Sequence, residues 1–134
     1  MNPKLIYIDS SALVKLIARE RESAALLGFL PAWPKRISSV LARVELFRAI
    51  RRSCGRTSEL RRAERVLSGL TLIRIDDDIL RVAARLDPPD IRSLDAIHLA
   101  TALSLQAELA GMITYDARMT DGAGMCGLTV FAPR

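Results

Sequence analysis

Histidine, cysteine and aromatic side chains are all scarce in this chain of 134 residues, which holds one His, two Cys, three Phe, two Tyr and one Trp. His98 has no second histidine near it, and Cys54 and Cys126 stand far apart without metal-ligand spacing, so no pattern supports a zinc centre. A structural disulfide is not expected either, because "MNPKLIYID" has neither the apolar length nor the cleavage site of a signal peptide. Lysine is missing after Lys35, and the "DSS" that follows the first apolar stretch brings no second acid. Both absences argue against phosphoryl transfer through a first-strand aspartate. Long hydrophobic runs are lacking too, since Arg, Asp or Glu interrupts each one, so no segment reads as membrane-spanning. On these grounds the chain is expected to be cytoplasmic.

Half the residues are hydrophobic, enough for a packed core, and the length suits a single domain over 1–134. The formal charge of +5 is concentrated. Between Arg43 and Arg65, eight arginines face only Glu45, Glu59 and Glu64, and the rest of the chain balances to zero. Clustered positive charge suits a polyanion, nucleic acid first, although a solvated helix face has the same composition. With only Phe29, Trp33 and Phe47 near it, base stacking is secondary to phosphate contact.

Apolar patterning alternates between strand and helix. Leu5–Asp9 reads as a buried strand, with Ser10 or Ser11 capping the helix after it. A short helix over Glu22–Leu30 is closed by Pro31 and Pro34, and a strand follows at Arg36–Ile37. Ser39 opens a helix to about Cys54, stopped by Gly55, with Val40, Leu41, Val44, Phe47 and Ile50 as its buried stripe. Another helix runs from Thr57 or Ser58 to Ser68. Leu70–Ile75 is a strand, Asp77–Leu86 a helix and "DPPD" a loop. Ser93 caps a long helix reaching Glu108 or Leu109. Gly111 precedes the strand "MITY", which ends at Asp116, and a glycine-containing stretch leads to a last strand, "LTVFA". Such alternation implies a parallel sheet covered on both faces. Ligands in such sheets sit at the carboxyl ends of strands, so Asp9 and Asp116 leave the same edge.

Each acid also has a structural reading. Asp9 suits a helix N-cap, Glu45 an exposed pair with Arg48, and Asp116 a turn. Asp95 lies on a helix that is apolar on most sides, sharing one face with His98 and Thr101, and a buried lone carboxylate there needs a cation. Asp76–Asp78 fit a cap and a negative first turn rather than a metal site. His98 suits a packed, hydrogen-bonded role, with proton donation near the site as the alternative.

Taken together, "YIDSSALVKL", "SSVLARVELFRAIRR", "RSLDAIHLATAL" and "ITYDARM" resemble the PIN domain, and within it the toxin ribonucleases of VapBC toxin–antitoxin pairs. The resemblance implies a three-layer α/β/α fold around a central parallel sheet of about five strands. It further implies a divalent-metal-dependent RNA endonuclease whose acidic quartet falls on Asp9, Glu45, Asp95 and Asp116. Thr114 stands at the family's hydroxyl position before the last acid, Ser10 and Ser11 at those after the first, and Arg92 at a basic position before the third. An antitoxin partner and a homodimer are implied as well. Asp121 lies where some relatives carry an extra acid, and its role stays open. The chemistry agrees: carboxylates converging at a sheet edge repel one another until a hard cation such as Mg²⁺ or Mn²⁺ relieves them. Such a cation activates water for phosphodiester hydrolysis. Asp9, Asp95 and Asp116 are expected to hold it, with Glu45 either a further ligand or the group that orients the water. The rival readings are a non-catalytic RNA- or protein-binding module and an RNA-processing nuclease outside a toxin–antitoxin system.

Overall fold

The computed structural model describes residues 4–53 and 55–134. Five strands, β1 (Leu5–Ile8), β2 (Arg36–Ser39), β3 (Thr71–Ile73), β4 (Leu109–Ile113) and β5 (Val130–Phe131), form one sheet in the order β3-β2-β1-β4-β5. Every neighbouring pair is parallel. Among the described residues the helices are α1 (Ser10–Val14), α2 (Ser23–Phe29), α3 (Leu41–Ser53), α4 (Thr57–Ser68), α5 (Asp77–Ala84), α6 (Ser93–Leu103) and α7 (Ala117–Met125). None is long and apolar enough to cross a membrane.

The alternation of β1 builds the layers. Ile6 and Ile8 face Leu13 of α1, Leu26 of α2, Leu46 and Ile50 of α3, and Leu67 of α4. Tyr7 faces the opposite way, into a core with Leu99 and Ala102 of α6 and Met119 and Ala123 of α7. Both sheet faces are therefore covered, giving the expected three-layer α/β/α arrangement. Chain order reverses direction between β1 and β4, which makes their carboxyl ends the crevice where ligands of such sheets bind.

Several local expectations change. The helix from Ser93 stops at Leu103, and a 3₁₀ turn at Gln106–Glu108 leads into β4. Parallel pairing with β1 claims Leu109 for the strand, overriding its helical continuation, and extends the strand ahead of Gly111. Gly111 thus lies inside β4, where a Cβ would stand 2.5 Å from the Thr129 carbonyl and 2.7 Å from the Phe131 ring. Its missing side chain is what lets β5 approach. The glycine-containing stretch after Asp116 is the helix α7, because Met119 and Ala123 are buried and Gly122 lies close under Leu99. On α3 the buried stripe is Ala42, Leu46 and Ile50, while Val44 is 57% exposed. Ser10 and Ser11 lie within α1, and the cap is Asp9 itself. Ser93 does not cap α6 either; Arg92 precedes that helix without a side-chain cap bond. Gly55 does end α3, with φ at +63°. Cys54 lies outside the described residues, and Cys126 is a half-buried free thiol.

Candidate active site

Four elements bring the four acids to one place. Asp9 follows β1, Glu45 lies on α3, Asp95 on the first turn of α6, and Asp116 opens α7 after β4. They line a cleft of about 90 Å³ with Ser10, Ser11, His98 and Met119. The register that sets Ile8 beside Ile113 explains why the ends of β1 and β4 meet there.

Asp9 is 3% exposed and held from three sides. Its Oδ1 accepts from the Ser11 hydroxyl at 2.7 Å and the Ala12 amide at 3.1 Å, and Thr114 donates to Oδ2. Burial pushes its pKa above the ordinary carboxylate range, against the pull of these donors. The same hydroxyls accept in turn: Ser11 ties α1 to the end of β4 by accepting from the Tyr115 amide at 3.0 Å, and Thr114 accepts from the Asp116 amide at 3.1 Å. Thr114 is fully buried and Ser11 half-buried at the cleft wall, and both hydroxyls hold Asp9.

Glu45 makes no pair with Arg48. Its Oε1 accepts from the Ser10 hydroxyl at 2.6 Å and lies 2.6 Å from His98 Nε2. Burial alone would raise its pKa, but the hydrogen bonds from His98 and Ser10 leave it below the usual value. Asp116 Oδ1 accepts from the Met119 amide at 3.0 Å, capping α7. Asp95 is the uncompensated member. Burial first, and then the charge on Asp116, raises its pKa, while Arg92 partly offsets this.

One question is whether these groups suit a cation. Among the described residues no three His, Cys, Asp or Glu side chains already enclose an ion-sized position. The donor set nevertheless fits a hard one. Every acid contributes oxygen, and neither Asp95 oxygen, nor Glu45 Oε2, nor Asp116 Oδ2 accepts a hydrogen bond among the described residues. The raised pKa of Asp95, from burial first and the Asp116 charge second, marks a cost of ionisation that a bound cation would offset.

Arg92 does not line this cleft. It lines an adjoining groove of about 480 Å³ with Arg118, Asp90, Asp121 and Met125, and Asp95 forms a wall of both. Asp121 thus sits outside the quartet. Asp76 caps α5 through the Ile79 amide at 2.9 Å and Asp78 meets Arg81, so this acidic run is structural, as its sequence suggested. Sequence reasoning missed Tyr7, whose hydroxyl lies 2.6 Å from His98 Nδ1. The available signal was a polar-tipped residue between Ile6 and Ile8 in a strand buried on both faces.

Comparison with known proteins agrees with this geometry. The PIN domain family matches residues 6–124. The protein named Ribonuclease VapC46 of Mycobacterium tuberculosis (strain ATCC 25618 / H37Rv) is 46% identical over 96% of this chain and 97% of its own. A toxin–antitoxin complex from Klebsiella pneumoniae contains a chain 27% identical, with a TM-score of 0.72 over 96% of this chain and 98% of that one. The crystal structure of M. tuberculosis VapC20, described as a sarcin-ricin loop cleaving toxin, superposes with a TM-score of 0.74 at 16% identity. That overlap covers 96% of this chain and 99% of VapC20, and it speaks for the fold alone.

Proposed function

Because the chain belongs to the PIN domain family, we propose that it is a divalent-metal-dependent endoribonuclease, the toxin of a toxin–antitoxin pair acting in the cytoplasm. The observation that carries this reading is the single cleft lined by Asp9, Glu45, Asp95 and Asp116, with free carboxylate oxygens on three of them. The 46% identity to a protein named a ribonuclease supports RNA as the substrate. The similarity to a chain of a toxin–antitoxin complex supports an inhibitory protein partner. A homodimer is part of the same reading, and exposed Leu80 and Val82 on α5 and Leu94 on α6 offer apolar surface for a second copy.

Asp95, Asp116 and Asp9 would hold Mg²⁺ or Mn²⁺, with Glu45 completing the set. The ion would supply Lewis-acid stabilisation of the phosphoryl oxygens and an activated water. The chain's own residues do the rest. Thr114 and Ser11 lock the Asp9 carboxylate, so the strand end delivers it in one orientation. Glu45, anchored through Oε1, keeps Oε2 available for the ion or for the attacking water. In the adjoining groove Arg92 and Arg118 pair with no carboxylate among the described residues, and we assign them to phosphates flanking the scissile bond. Arg92→Gln and Arg118→Gln are expected to raise KM for RNA while leaving kcat within a few-fold.

Purified protein incubated with a mixed RNA pool and Mg²⁺ or Mn²⁺ should cut it, and EDTA or the Asp95→Asn substitution should abolish cutting. RNA bound but uncut by the folded, partner-free protein would instead establish the non-catalytic binding module. Cleavage confined to a precursor RNA, with no growth arrest on expression, would favour a processing nuclease.

A further inference from the structure

Tyr7, His98 and Glu45 form a hydrogen-bonded line from the centre of the sheet to the cleft. Tyr7 is completely buried and His98 is 2% exposed. The rings meet edge to face, with centroids 5.9 Å apart and planes at 88°. Both imidazole nitrogens are occupied, Nδ1 by the Tyr7 hydroxyl and Nε2 by Glu45 Oε1, each at 2.6 Å.

We propose that Tyr7 and His98 are positioning residues: they fix Glu45 through Oε1 so that Oε2 is presented to the cleft, and His98 takes no part in proton transfer to RNA. The donors and acceptors follow from elementary chemistry. A carboxylate only accepts, so Nε2 must carry the proton that reaches Glu45. In a neutral ring Nδ1 is then the acceptor, and the Tyr7 hydroxyl donates to it. A core tyrosine thus sets the tautomer of a histidine that orients an acid 53 positions earlier in the chain. Histidines and carboxylates behind metal ligands in other proteins act in this way, and losing such a partner commonly costs about 10–100-fold in metal affinity or activity. Ser10 donates to the same Oε1, so both anchors pull on one oxygen and leave the other free. With the ring only 2% exposed and both nitrogens occupied, His98 cannot reach a leaving group without dismantling this line.

The inference rests on the proposed nuclease reading, and its test is arranged so that the two fail separately. His98 is the sole histidine, so the ¹⁵N spectrum of the full-length, metal-free protein with labelled histidine reports one ring. A protonated Nε2 and a bare Nδ1 are expected, and any other pattern overturns the proposal whether or not the protein cuts RNA. MnCl₂ titration then compares His98→Gln, which keeps an N–H donor, with His98→Leu, which does not. A loss of about 10–100-fold for Leu and a loss within a few-fold for Gln is the expected result. Equal affinity for all three proteins, or equal loss in both variants, would overturn it. Should His98→Leu fail to fold, retention by His98→Gln together with the spectrum decides. If wild type neither binds Mn²⁺ nor cuts RNA, the nuclease reading has failed, and the spectrum still tests the Tyr7–His98–Glu45 line.

Discussion

Asp95 and Glu45 stand in the same cleft with opposite electrostatics, and this separates their effects on stability. The Asp95 carboxyl accepts no hydrogen bond among the described residues, and burial followed by the Asp116 charge lifts its pKa. A folded-state pKa above the unfolded value means that the folded chain binds the proton more tightly. Stability of the metal-free protein is then fully present below the unfolded pKa and declines as pH rises through the folded one. Asp95→Asn removes that decline, so its melting temperature at neutral pH should equal or exceed that of wild type. The gap should close on acidification into the ordinary carboxylate range. Glu45 has the reverse sign: its lowered pKa contributes stability above the unfolded value that is lost as pH falls. Glu45→Gln is therefore expected to melt below wild type near neutral pH. Thermal melts of the three proteins from about pH 4 to pH 8 read both signs. The same melting order for both variants would contradict the assignment of Asp95 as the strained carboxylate.

Asp9 and Asp116 each end a connection from a strand and begin a helix, so one carboxylate both caps and faces the cleft. Asn caps as well as Asp, whereas Ala costs about 1 kcal/mol. Asp9→Asn should accordingly lose cleavage with its fold intact, while Asp9→Ala should lose cleavage and also melt lower. This double role explains why Asp9 looked ambiguous in sequence: cap and site were offered as alternatives, and the chain uses both. The elements around the site were legible where periodicity was strong, as in β1, α4 and α5. They were less so where tertiary pairing overrode it, as at Leu109, or where glycines served packing, as at Gly122 under Leu99. That Asp9 and Asp116 leave one sheet edge could be anticipated from the strands they follow, whereas the full quartet with Glu45 was implied only by the resemblance to the PIN domain. The Tyr7–His98 link could not be anticipated, because it joins residues 91 positions apart through the sheet's far face. Gly111→Ala is expected to loosen β5 and lower the melting temperature, since the new Cβ would meet backbone at Thr129.

Across the whole molecule the acidic cleft is set against a basic exterior. Arg48, Arg51 and Arg52 on α3 and Arg61 and Arg65 on α4 are exposed, whereas the acids gather at the β1–β4 crevice. A polyanion would thus be attracted by the surface and repelled by the metal-free site, so on the proposed reading cation and RNA would support each other's binding. If α3 and α4 hold RNA, Arg51→Gln with Arg52→Gln should weaken binding and flatten its dependence on salt. The slope of log K against log salt should shrink by about 0.7 for each lost contact to a single strand. An unchanged slope would leave this face to the protein partner.

The central claim is that four carboxylates from four separate elements act as one cation site, and calorimetric titration of MnCl₂ tests it most directly. Wild type should bind, while Asp9→Asn, Glu45→Gln, Asp95→Asn and Asp116→Asn should each bind at least tenfold more weakly while remaining folded. A folded wild-type protein that takes up no Mn²⁺, or quartet variants that bind it as wild type does, would contradict the account.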